Sequence, residues 1–128
     1  MKTKVLASLL GILIFLFSLL VSEGAEALTA SWYSVASLKK EGTYRYSKGV
    51  MANGKTFRDE GYTAASWDYP LGTRLEVSSV ETQRRVEVVV TDRTARRFKG
   101  KRIDLSKGAF AQIAPLEQGL VEVQIKEL

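Results

Sequence analysis

A chain of 128 residues with no histidine and no cysteine must do any acid–base or nucleophilic chemistry with carboxylates and hydroxyls. Histidine is the usual proton carrier near neutral pH and the commonest metal ligand, and thiolates build most structural zinc sites, so neither a metal nor any other cofactor is expected. The carboxylate that stands out is Asp92, in Val90-Thr91-Asp92-Arg93, directly after the alternating run Val86 to Val90. A side chain just past a barrel strand sits at the rim, where rigid scaffolds carry their functional groups. The competing reading ties Asp92 to Arg93, another arginine or main-chain amides, as a structural anion. Asp104, in Ile103-Asp104-Leu105-Ser106, is a tempting second carboxylate, but it precedes a helix and is expected to serve that helix's amides. Asp68 lies in a turn, where exposed aspartates are routine. Trp32, Tyr33, Trp67 and Tyr69 offer ring faces with polar edges on which a ligand could stack. Strand alternation sends Trp32 and Tyr33 to opposite faces, so one of them at most lines a groove, and Tyr33 is the choice.

These groups need a frame, and alternation supplies most of it. Leu75 and Val77 alternate with Arg74 and Glu76; Val86, Val88 and Val90 with Glu87 and Val89; Val121, Val123 and Ile125 with Glu122, Gln124 and Lys126. Period two with one apolar face means half-buried strands. Asn53-Gly54 favours a tight hairpin, and Tyr69-Pro70-Leu71-Gly72 has the Pro and Gly spacing of a type I turn. Short strands joined by such turns predict an all-β fold, a small barrel. One short helix is expected from an N-cap at Ser106 through Ala109, Phe110, Gln112 and Ile113 to a stop at Pro115, plugging one barrel end. Leu38 to Gly49 shows no period and reads as a loop of the kind that carries recognition.

The first residues read as an address. Lys2 and Lys4 precede the apolar run from Val5 to Val21, followed by Ala25-Glu26-Ala27, the pattern of a secretory signal peptide. The expected organisation is a leader at 1–27 and one domain at 28–128, exported to the periplasm, wall or exterior. The run is longer than most signal cores, so the alternative is an uncleaved membrane anchor, and membrane contact is expected only through this segment. Without cysteine no thioether lipid anchor can form, so the protein is not a lipoprotein.

The formal charge is +5, and removing Lys2, Lys4, Glu23 and Glu26 takes away two charges of each sign and leaves it unchanged. Outside a cell, a basic surface suits wall polymers with carboxylates and phosphates; nucleic acid is not an expected partner. Arg84, Arg85, Arg93, Arg96, Arg97, Lys99, Lys101 and Arg102 concentrate around one hairpin and the segment after Asp92. A solvated face is the ordinary meaning of such a cluster, yet beside a site it would also attract an anionic polymer.

Read in order, Ala30-Ser31-Trp32-Tyr33-Ser34, Met51-Ala52-Asn53-Gly54-Lys55-Thr56-Phe57, Tyr62-Thr63-Ala64-Ala65-Ser66, Leu71-Gly72-Thr73, Val90-Thr91-Asp92-Arg93 and Arg102-Ile103-Asp104-Leu105-Ser106 form a series. It resembles the rare-lipoprotein-A family of septal-ring lytic transglycosylases over nearly the whole mature chain. The resemblance implies a six-stranded double-psi β-barrel, shared in outline with barwin-like proteins and the first domain of expansins, and a groove for a peptidoglycan or related wall glycan strand. It carries the acid/base role to Asp92 and sugar-orienting roles to Ser66, Tyr33, Asn53 and Arg93. Ser66 stands where the family commonly has His, Lys55 where it commonly has Glu, and Thr94-Ala95 replace its Gly-Pro. A serine there can hydrogen-bond but cannot carry a proton near neutral pH. The implied activity is endolytic cleavage of glycan strands to anhydro-muramic ends. The alternatives are an expansin-like module that binds wall glycan without cutting it, and a barwin-type inhibitory protein acting on another protein's surface.

Overall fold

The computed structural model describes residues 25–128. Most of the expected leader therefore lies outside the described residues, whereas Glu26 and Ala27 belong to the first strand and pair with Ile125 and Gln124 of the last. Six strands, β1 (Glu26–Tyr33), β2 (Thr63–Ala65), β3 (Arg74–Ser79), β4 (Arg85–Asp92), β5 (Arg102–Ser106) and β6 (Val121–Glu127), close into a barrel in the order β1-β5-β2-β4-β3-β6. The pairs β1·β5 and β2·β4 run parallel and the other four antiparallel. Closure removes every sheet edge and leaves one interior to fill.

The alternating residues fill it. Leu75 and Val77 of β3, Val86, Val88 and Val90 of β4, Ile103 and Leu105 of β5, and Val121, Val123 and Ile125 of β6 form one buried cluster. The helix expected after Ser106 is present as α3 (Lys107–Ala111), with Ser106 Oγ accepting from the Ala109 N–H at 3.3 Å. It inserts Ala109 and Phe110 into the cluster, and full burial of such an aromatic contributes about 2 kcal/mol. The helix ends at Ala111 rather than running to Pro115, which instead caps a separate 3-10 turn over Leu116–Gln118. Gly108 is a contact point: its N–H donates to the Asp59 carbonyl at 2.7 Å, and a Cβ there would lie 2.9 Å from that oxygen.

Two local expectations are corrected. Leu38 to Gly49 is not a loop but most of two short helices, α1 (Val35–Lys40) and α2 (Thr43–Ser47). Ser34 and Ser37 close a reciprocal capping box at the start of α1. Neither helix buries a residue, so no apolar period marks them. The second correction concerns the turn expected over Tyr69–Gly72, which lies one residue later at Pro70–Thr73: the Thr73 N–H reaches the Pro70 carbonyl at 3.2 Å and Gly72 has φ +91°. A positive φ at the third position is the type II form, not type I.

Candidate functional site

A single irregularity aims the site. In the parallel pair β2·β4, Ala64 is level with Val90 but Ala65 is level with Asp92, so Thr91 is an extra residue in β4. Regular alternation would send Asp92 to the same face as Val90, which is fully buried in the core. The bulge shifts the parity and turns Asp92 outward. Continuing across the sheet, Ala65 is level with Asp104 of β5, and Asp104 with Ser31 of β1. Ser31, Asp104, Ala65 and Asp92 thus form one row over four neighbouring strands, and all four line a groove of about 630 Å³. Two strand spacings set the Asp92 and Asp104 backbones about 10 Å apart.

Asp92 is held from one side. Its Oδ1 accepts from the Ala52 N–H at 3.0 Å and from its own neighbour, the Arg93 N–H, at 2.9 Å. Among the described residues Oδ2 has no hydrogen-bond partner and Asp92 makes no ion pair. The Ala52 donor is presented by the Met51–Gly54 turn, closed by the Gly54 N–H on the Met51 carbonyl at 2.9 Å with Gly54 at φ +85°. The Asn53-Gly54 signal therefore does mark a turn, flanked by one bridge between Val50 and Thr56.

Asp104 does not serve the helix amides. Its Oδ1 accepts from Ser31 Oγ and from Arg102 Nε at 3.1 Å, and Arg102 Nε also reaches Ser31 Oγ at 2.8 Å. The signal that could have shown this is the β5 alternation itself: with Ile103 and Leu105 in the core, Arg102 and Asp104 must face the groove.

Tyr33 lines the groove as expected, but Trp32 lines it too, against the expectation that one of them at most would; Trp32 also packs on the core and donates its indole N–H to the Leu116 carbonyl at 2.9 Å. The Tyr33 ring stacks on Phe57, centroids 4.4 Å apart, so that face is occupied. Its hydroxyl oxygen is buried and has no hydrogen-bond partner among the described residues. Burial, reinforced by the negative charges of Asp92 and Asp104, holds the phenol far above its ordinary pKa and keeps it a protonated donor.

The other residues named from the sequence take different places. Ser66 is fully buried, its Oγ accepting from the Asp68 N–H at 3.0 Å, and only its main chain touches Asp92, whose carbonyl accepts the Ser66 N–H at 3.0 Å. Asn53 spends its side-chain oxygen on the Lys55 N–H, and neither Asn53 nor Lys55 lines the groove. Arg93 does line it, but its Nη1 donates to the Ser66 and Tyr69 carbonyls, both at 2.6 Å, clamping the Ser66–Tyr69 turn beside the end of β4. Trp67 and Tyr69 lie outside the groove: Trp67 donates to the Thr94 carbonyl, and Tyr69 packs on the core and donates to Glu26. Asp68 accepts from the Gly100 N–H at 2.8 Å. Residues that sequence reasoning did not place in the groove include Phe57, Phe98, Arg97 and Arg102.

What this arrangement can do follows from its charges and shape. The two amides on Oδ1 are the contacts that the structural-anion reading of Asp92 expected; Oδ2, without a partner among the described residues, is the oxygen left to exchange a proton with a ligand. The groove is open to solvent, with a phenol donor and a second, ion-paired carboxylate along its floor. Among the described residues, no group of three or more metal-ligating side chains comes together.

Fold and groove define a class: a six-stranded double-psi β-barrel with a carboxylate-floored cleft across it. The family model described as lytic transglycolase matches residues 25–125, and the chain belongs to that family. It is 41% identical over 78 residues to the uncharacterized protein ssl3177 of Synechocystis, 61% of this chain and 81% of that one. It is 35% identical over 107 residues to the endolytic peptidoglycan transglycosylase RlpA of Campylobacter jejuni, covering 83% of this chain but 34% of that protein. Among solved structures, a Streptomyces papain inhibitor superposes with a TM-score of 0.61 at 24% identity, covering 81% of this chain and 94% of the inhibitor. An expansin of Clavibacter michiganensis in complex with cellohexaose superposes at 0.56 and 19% identity, covering 81% and 50%. These two likenesses speak for the barrel alone.

Proposed function

We propose that this protein is exported and, as a domain following its leader, cleaves peptidoglycan glycan strands as an endolytic lytic transglycosylase. The observation that carries the reading is the placement of Asp92 on the floor of the groove, where Oδ2 has no partner among the described residues even though two main-chain amides hold Oδ1. In the reaction, protonated Asp92 gives its proton to the glycosidic oxygen as the C1–O bond breaks. The oxocarbenium-like centre at C1 is then attacked by the same sugar's C6 hydroxyl, whose proton returns to Asp92. The product carries a 1,6-anhydro ring and no water is consumed, so one carboxyl serves both steps. Similarity to an endolytic peptidoglycan transglycosylase supports the choice of glycan.

The second reading is a module that binds wall glycan without cutting it. It is favoured by Ser66, buried and bonded to a main-chain amide where a proton-carrying side chain would help, and by the cellohexaose complex of a protein with the same barrel. Purified protein incubated with isolated sacculi, beside Asp92→Asn, separates the two by mass spectrometry. Anhydro-ended fragments from the wild type alone establish the transglycosylase; saturable binding with no released fragment establishes the module.

A further inference from the structure

The hairpin of α1 and α2 stands apart from the barrel. Neither helix buries a residue, and among the described residues every hydrogen bond made by 36–48 ends within 34–50. Hydrogen bonds join it to the rest of the chain only at its ends: the Val35 N–H donates to Asp59 Oδ1 at 2.7 Å, and the Gly49 carbonyl accepts from the Phe57 N–H at 2.8 Å. The helices have six and five residues, and isolated helices shorter than about 12 are marginal in water. A segment held in this way opens locally while the barrel stays folded. It leaves through Lys48 and Gly49, at φ +52° and +76°, and residues at the ends of elements absorb the change when a segment swings.

The hairpin nonetheless belongs to the groove. Leu38, Glu41, Thr43 and Ser47 line it, as does Val50 just beyond. Leu38 and Val50 are apolar but are not among the residues packed on the core cluster, so their apolar surface is left for whatever enters the groove. The chemistry proposed above also needs a cover. In an open groove, water could attack C1 in place of the C6 hydroxyl and give its proton to Asp92, leaving a reducing end instead of a 1,6-anhydro ring. The 3-10 turn Arg96–Phe98, the other helical element at the groove, is tied down on both sides, by Trp67 on the Thr94 carbonyl and by Asp68 on the Gly100 N–H.

We propose that residues 35–48 form a hinged flap that closes over a bound glycan strand, laying Leu38, Thr43 and Ser47 on the sugars and keeping water from C1. The proposal rests on the glycan reading and adds binding residues to it. Leu38 covers the apolar face of a sugar ring, and the Thr43 and Ser47 hydroxyls meet its hydroxyl or amide groups.

The test is hydrogen–deuterium exchange on the whole protein, carrying Asp92→Asn so that the strand stays uncut, with and without soluble glycan strands freed of stem peptides by an amidase. Calorimetry on the same samples reads binding. The Glu41, Gly42, Arg45 and Lys48 amides are expected to exchange fast in the free protein and to slow about tenfold or more with glycan bound, while the β4 and β5 amides are slow in both states. Adding Leu38→Ala and Thr43→Val is expected to weaken binding about three- to tenfold and to remove most of that slowing, with an unchanged melting curve because neither residue is part of the core. With Asp92 restored, the same double variant is expected to release reducing ends among the anhydro ends, heavier by one water in the mass spectrum. Glycan that binds and leaves exchange over 36–48 unchanged would overturn the flap while the glycan reading stands, as would slow exchange there in the free protein. An unchanged product ratio would remove its part in excluding water. No binding at all would sink the glycan reading, and the flap with it.

Discussion

Replacing Tyr33 by Phe should make this protein more stable and less able to hold its ligand. The Tyr33 hydroxyl oxygen is buried without a partner among the described residues, and a buried polar atom left unsatisfied costs about 1–3 kcal/mol. Phenylalanine removes that atom and keeps the ring, so the stack on Phe57 at 4.4 Å and the rest of the packing survive. Because Tyr33 lines the groove, the low end applies, about 1 kcal/mol. For a domain of this size that raises Tm by roughly 4–8 °C. The cost falls on function. With burial, Asp92 and Asp104 all disfavouring its ionised form, the phenol is a permanent donor, and a bound sugar oxygen is the acceptor that would satisfy it. Losing one neutral hydrogen bond of about 0.5–1.5 kcal/mol weakens glycan binding roughly two- to tenfold. Differential scanning calorimetry and sacculus binding on the same preparations read both changes. A Tyr33→Phe protein with an unchanged or lower Tm and undiminished binding would refute the reasoning, because the hydroxyl would then be neither a burden to the fold nor a contact to the ligand.

Gly108→Ala should lower Tm by several degrees, since the new Cβ would meet the Asp59 carbonyl at 2.9 Å and Glu60 Cα at 3.0 Å, main-chain atoms that cannot swing aside; overpacking of this kind costs about 1–3 kcal/mol. A melting curve matching the wild type would show that the 59–60 segment gives way freely. A domain beginning at Leu28 should be less stable than one beginning at Ala25 by about 1–2 kcal/mol, because it loses the Glu26 pairing with Ile125 and the Tyr69 hydroxyl bond to Glu26. Urea midpoints of the two domains decide this, and coincident curves would mean that the first two residues of β1 add nothing.

The strands β3, β4 and β6 could be read from alternation because each has one face in a single core, and burying every second residue leaves a period-two trace. The helices α1 and α2 left no such trace. They bury nothing, and the capping serines that start α1 resemble any polar turn. The end of α3 was misplaced for a related reason: Ile113 and Ala114 are buried and continue the apolar pattern, but the chain reaches the core there outside the helix.

At the site, residue type was legible and direction was not. The absence of histidine and cysteine limits the chemistry to oxygen-bearing groups, and the block around Asp92 marks the carboxylate from the sequence alone. Its outward aim depends on Thr91 being one residue too many against Ala64 and Ala65, a fact of register between strands more than 20 residues apart. The resemblance gave Ser66 a sugar-orienting role from its place after Thr63-Ala64-Ala65; the turn that Arg93 clamps buries it completely. Asp104 looked like a helix cap because it precedes a helix, yet Ser31 and Arg102 claim it across the parallel β1·β5 pair. Composition and local periodicity determine which groups exist and which strands form, since both are properties of neighbouring residues. Which side chains meet in one groove, and which are sealed beneath it, was decided by barrel closure and by a single bulge, because pairing register is set between segments distant in the chain.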